Sequence, residues 1–150
     1  MWGRYDTRST RAGGSVSLSL PEDVEPHLGT DADLSDAHRP GVYALRLTKP
    51  DDPASAWDRQ FDTRPEWFDA FAELPKTVYV GSAGDVLRRL EEHRDGEVRT
   101  TVLTELCEIE SLRNVWLLPA STDRHEREFE ERKVARLMRR EHPDTFVRQA

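Results

Sequence analysis

The chain has 150 residues, 36% hydrophobic and 34% charged, with a formal net charge of −7. That length suits one domain. The single cysteine, Cys107, excludes an intrachain disulfide and fits a reducing, cytoplasmic setting. No apolar run approaches a membrane span, the N-terminus has no signal-peptide core, and the acidic balance argues against nucleic-acid binding through diffuse charge alone.

Residues 1–40 read as an N-terminal arm and an acidic loop, interrupted by the alternating SVSLSL at 15–20, which has the period of a half-buried strand. From Gly41 the pattern becomes globular. Gly41–Thr48 (GVYALRLT) predicts a strand with Tyr43, Leu45 and Leu47 on one face and Val42, Ala44 and Arg46 on the other. Residues 49–63 read as a polar insertion. Pro65 is expected to open a short helix with Trp67, Phe68, Phe71 and Leu74 at helical spacing. Thr77–Gly81 (TVYVG) predicts a second strand.

Asp85 is the expected N-cap of a helix reaching about His93, ended by Asp95-Gly96. Residues 99–107 fit a short helix or an extended segment. Ser111–Pro119 holds a core strand, NVWLL. Asp123 is the expected cap of the longest helix, about 124–141, with acids early and bases late, as the helix dipole favours. Pro143 stops it, and TFVRQA is a last edge strand. These elements predict an α/β domain with a small, mainly antiparallel sheet flanked by helices.

The charge is unevenly spread. Of the segments 1–40, 41–75, 76–110 and 111–150 only the last is net positive, and all basic residues except Lys49, Lys76 and Lys133 are arginines. An acidic, lysine-poor chain fits a halophilic setting, with GC-rich codon usage as the alternative cause. Arg88, Arg94, Arg99, Arg132, Lys133, Arg136, Arg139 and Arg140 offer a local basic track. His93, Cys107, His125 and His142 have no compact ligand spacing, which argues against zinc.

Gly41-Val42-Tyr43 and Tyr79-Val80-Gly81, with the stretch YVGSAGDVLRRLEEH from Tyr79 to His93, resemble the GIY-YIG nuclease family. The resemblance covers roughly residues 40–150 and extends to the catalytic domains of homing endonucleases and of an excinuclease. In that family an arginine stands ten residues after the second tyrosine; here it is Arg89. A later helical glutamate holds one divalent metal. Glu131 corresponds best, because Val134, Ala135 and Met138 follow it as an apolar stripe; Glu130 and Glu128 are the rivals.

The resemblance implies a divalent-metal-dependent DNA endonuclease using Mg²⁺ or Mn²⁺, of a kind that includes structure-selective enzymes of DNA repair and recombination. Tyr79 would be the general base. Tyr43 would orient water or phosphate, Arg89 would grip the phosphate, and His93 would be a second proton acceptor or phosphate ligand. Gly81, Ser82 and Arg88 would lie at the substrate.

Two departures accompany the resemblance. Tyr43 and Tyr79 are 36 positions apart, so an insertion of about 49–75 replaces the family's short hairpin. The family's late asparagine is also missing, and Gln149 is the candidate substitute. Each residue has an ordinary reading as well. Tyrosines favour strands, Arg89 can pair with Glu91 or Glu92, and His93 can serve the helix dipole. The alternative function is therefore an inactive nucleic-acid-binding or protein-interaction module of the same fold. Residues 1–40 are a candidate contact for a protein partner.

Overall fold

The computed structural model describes residues 38–96 and 102–149. The expected 15–20 strand, nearly all of the N-terminal arm and Arg99 lie outside them. Among the described residues four strands form: β1 (Gly41–Thr48), β2 (Lys76–Ala83), β3 (Glu108–Leu117) and β4 (Thr145–Gln149). The helices are α1 (Pro53–Gln60), α2 (Phe68–Glu73), α3 (Val86–Arg94), α4 (Val102–Leu106) and α5 (Arg124–Glu141).

The strands lie in the order β3-β1-β2-β4. β1 is antiparallel to β2 and to β3, but β4 is parallel to β2, so the sheet is mixed. The sequence pattern does not reveal the parallel strand, and α5 explains it. Eighteen helical residues carry the chain back about 27 Å across the sheet, and β4 then starts in the direction in which β3 ran. A parallel neighbour needs such a crossover.

Alternation along β1 and β2 sends side chains to two covered faces. Tyr43, Leu45, Leu47 and Tyr79 join an aromatic core with Trp57, Phe68, Phe71, Leu90 and Phe146. Val42, Ala44, Val78, Val80 and Trp116 pack against Val134, Ala135 and Met138 of α5. β3 starts three residues earlier than its apolar run suggests. Register shifts opposite Ala44/Leu45 and Arg46/Leu47 keep the polar start, with Glu108 and Glu110 exposed, paired with the end of β1.

The insertion is more ordered than its polarity suggests. Asp52 accepts the Ser55 N–H at 3.1 Å and Pro53 occupies the first turn, so α1 forms and buries Trp57. The following helix begins at Phe68, three residues after Pro65. Pro65–Trp67 form a turn closed by the Phe68 N–H on the Pro65 carbonyl. Lys49 donates to the carbonyls of Phe71, Ala72 and Leu74, at 3.1, 3.1 and 2.6 Å. That single ammonium satisfies free carbonyls around the end of α2 and ties the insertion to the end of β1.

The two longer helices follow their caps. The Asp85 carboxylate accepts the Arg88 N–H at 3.0 Å, and Gly96 (φ +73°) follows the end of α3. A reciprocal Asp123–Glu126 capping box starts α5. The 99–107 ambiguity resolves in part: 102–106 is helical, and Cys107 after it is buried.

Candidate functional site

β4 pairs with β2 only from Lys76 to Val80, and Gly81–Ala83 extend beyond it. Gly81 and Ala83 belong to the α3 face. Ser82 belongs to the α5 face. Around this end of β2 lies a cavity of about 560 Å³. Ser82 and Gln149 line it from the sheet, and Arg89 lines it from α3. Arg124, Arg127, Glu128, Glu131 and Arg132 line it from α5.

Glu131 is the buried acid of this wall, 4% exposed. The Ser82 hydroxyl donates to its carboxylate at 2.7 Å, and the Gln149 side chain donates a second hydrogen bond. Burial pushes the carboxyl above its ordinary range despite both donors. Its rivals are placed differently. Glu130 is paired with Lys133 at 3.3 Å and does not line the cavity. Glu128 lines the cavity but is paired with Arg124 at 3.0 Å, and hydrogen bonding holds it below the usual carboxylate range.

Beneath the α3 side lies a closed polar cluster. The rings of Tyr43, Tyr79 and His93 are mutual neighbours, with centroids 5.6–6.4 Å apart. The Tyr43 hydroxyl and His93 Nε2 share a hydrogen bond of 3.0 Å, and Tyr43 also bonds to Tyr79 through the side chains. Burial, reinforced by Tyr79, pushes the Tyr43 hydroxyl far above the ordinary phenol range, so it stays protonated. Burial, with the Arg89 cation beside it, pushes His93 down to about 4, so the ring is neutral at pH 7. His93 Nδ1 is buried with no hydrogen-bond partner among the described residues.

Gly81 makes this cluster fit. It stands directly across from Tyr43 in the β1–β2 register. A Cβ there would lie 2.7 Å from the Tyr43 hydroxyl oxygen and 2.8 Å from Cζ. Gly41 is equally constrained, because a Cβ would meet the Trp116 carbonyl and Val86 at 2.8 Å.

The expected site residues therefore fall into two groups. Tyr43, Tyr79, His93 and Gly81 form the buried cluster. Ser82, Arg89 and Glu131 line the cavity. Arg89 connects them, since its charge acts on both Tyr43 and His93 while its side chain reaches the cavity. It also pairs with Glu92 at 3.3 Å, as the ordinary reading of the helix allows. Arg88 does not line the cavity; its side chain is 75% exposed and faces Glu92.

The basic track is also rearranged. Arg94 pairs with Asp95, and Arg139 donates to the Val147 carbonyl. Arg124 and Arg127, absent from the expected track, line the cavity instead. Positions 124, 127, 128 and 131 share one helical face, a spacing visible in the sequence.

The donor set limits which cations it could hold. Among the described residues, no group of three or more His, Cys, Asp or Glu side chains could hold a metal ion. Burial pushes the Cys107 thiol up to about 12, which keeps it protonated. One buried carboxylate with hydroxyl and amide neighbours cannot close a zinc site. Glu131 is the residue that could hold a Mg²⁺ or Mn²⁺ ion, with most of the ion's remaining ligands water.

Compared with protein-family models, curated proteins and solved structures, the chain has no match. No helix among the described residues is long and apolar enough to cross a membrane.

Proposed function

We propose that the cavity is a phosphodiester site and that the chain is a hydrolase of nucleic-acid backbones. The particular activity we infer is metal-dependent endonucleolytic cleavage of DNA, in the manner of the GIY-YIG family that Gly41–Tyr43 and Tyr79–Gly81 resemble. One observation carries this reading: Arg89 and Glu131, on helices covering opposite faces of the sheet, line the same cavity at the end of the strand bearing Tyr79.

Each residue has a role in this reading. Arg89 leaves Glu92 for a non-bridging phosphate oxygen, to which its planar fork can donate twice. Ser82 and Gln149 hold the Glu131 carboxylate in orientation. Glu131 would hold the Mg²⁺ or Mn²⁺, which when bound supplies positive charge to the phosphoryl oxygens. Tyr79 lies in the buried cluster and off the cavity lining. In this reading substrate binding must open it to the attacking water, whose proton it takes while its own passes towards Tyr43 and His93. His93 is a weak acceptor partly because of the bare Arg89 cation. A phosphate on Arg89 offsets that charge and raises the ring's proton affinity at the moment it is needed.

The test is a cleavage assay on supercoiled plasmid and on flap and branched oligonucleotides, with Mg²⁺ or Mn²⁺, from low to molar KCl. The expected result is metal-dependent cutting that falls at least about 100-fold in Arg89→Ala and in Glu131→Gln. A folded wild type that cuts none of these substrates, or cutting that survives both substitutions, overturns the reading. Salt-dependent binding without cutting would favour an inactive binding module.

A further inference from the structure

The cavity is larger than one phosphate group needs, and its charge is not used up by Arg89 and Glu131. Its lining holds four arginines against two glutamates, in a chain whose net charge is −7. Such a reversal focuses anions into the cavity despite the acidic whole.

Arg127 is the informative residue. It stands one helical turn before Glu131, an axial step of about 6 Å, comparable with the spacing of neighbouring phosphates along a strand. Its guanidinium lies beside the turn between β2 and α3, with Nη1 3.9 Å from where a Cβ on Gly84 would be. Gly84 is exposed and presents no side chain, so this flank is open to a ligand. Arg124, one turn earlier, pairs with Glu128. Arg127 has no acidic partner at ion-pair distance among the described residues.

We propose that Arg127, with Arg124 beside it, forms a second phosphate subsite next to the Arg89–Glu131 subsite, so that the cavity takes two consecutive phosphates of one nucleic-acid strand. The ligand is then a polynucleotide strand rather than a phosphomonoester or an isolated diester. The inference rests on the phosphodiester reading for the class of ligand, but it concerns binding and needs no catalysis.

The experiment measures binding of a fluorescein-labelled 20-nucleotide DNA strand by anisotropy, in EDTA, across a range of KCl. The proteins are wild type, Arg124→Gln/Arg127→Gln and Arg88→Gln. Arg88 carries the same charge on a neighbouring surface but lies off the cavity. The double variant is expected to bind at least about 10-fold more weakly. Its salt slope should fall by about 0.7, the loss of one neutralised phosphate on a single strand. Arg88→Gln should change affinity by less than about twofold.

Equal losses in both proteins would mean diffuse charge and overturn the subsite. So would an unchanged slope in the double variant, or a wild type that does not bind the strand. Failure of the two proposals can be separated. A wild type that binds as expected but never cuts keeps the subsite and loses the nuclease. One that cuts while the double variant binds normally keeps the nuclease and loses the subsite.

Discussion

The two faces of the sheet handle buried polarity in opposite ways. The α3 face is aromatic, and its buried polar groups are neutral: Tyr43 is held protonated, His93 is held unprotonated, and they bond to each other. The α5 face is aliphatic apart from Trp116 and keeps a carboxyl, Glu131, supported by Ser82 and Gln149. A neutral network costs less than a buried charge, even with His93 Nδ1 left without a partner among the described residues, whereas a buried charge stays costly even with donors. The two arrangements meet only around the end of β2, where β4 has stopped and Arg89 reaches the cavity. Burial thus keeps one face neutral and raises the proton affinity of the carboxyl on the other.

Protonating the neutral face should have the largest effect on stability. His93 sits at about 4 when folded, against an ordinary value of 6.5. The unfolded chain therefore binds the extra proton first, and stability is lost as pH falls from about 6.5 towards 4. The expected loss is up to about 3 kcal/mol. It should appear in denaturant titrations of the wild type between pH 7 and 4.5. His93→Gln should lack that increment, and parallel pH profiles for the two proteins would refute the assignment. His142 and several carboxylates shift in the same direction, so the difference between the profiles is the quantity to read.

Crowding the same face comes next. Gly81→Ala places a methyl group against the Tyr43 hydroxyl. It should destabilise the fold by about 1–3 kcal/mol and break the Tyr43–His93 bond. The second effect separates this from simple overpacking: the His93 pKa, read by NMR, should move. An unchanged histidine titration would show that Tyr43 does not hold the ring.

The smallest effect should appear on the other face, with opposite sign. Burial raises the folded pKa of Glu131, so its carboxylate lowers stability as pH rises through the carboxyl range. Glu131→Gln should therefore be modestly more stable than wild type at pH 7, with the gain vanishing at low pH. A less stable variant at pH 7 would mean that the two hydrogen bonds outweigh desolvation. Stabilisation with lost cleavage is the pattern expected where a functional site carries strain.

Much of the scaffold was legible because its signals are local. Asp85 and Asp123 stand at helix starts, Pro143 follows a helix end, and the period-2 alternation of β1 marks two faces. Each acts within one turn or one strand of itself. The stripe of Val134, Ala135 and Met138 likewise placed Glu131 at the buried edge of α5. The insertion was less legible. Its polar composition hid α1, although Asp52, Pro53 and Ser55 spell a helix start. Lys49 looks like a surface lysine until three carbonyls at the end of α2 and its cap arrive around it.

The site divides in the same way. Periodicity and capping, acting over a few residues each, specified the two glycine–tyrosine strands, the helix carrying Arg89 and His93, and the capped helix carrying Glu131. Four other features came only with the assembled fold. β4 runs parallel to β2, Gln149 reaches Glu131, Arg127 rather than Arg88 faces the cavity, and Tyr43 and His93 share one hydrogen bond. These depend on how α5 crosses the sheet and where β4 stops pairing. They are set by long-range packing of whole faces, which no local window of residues encodes.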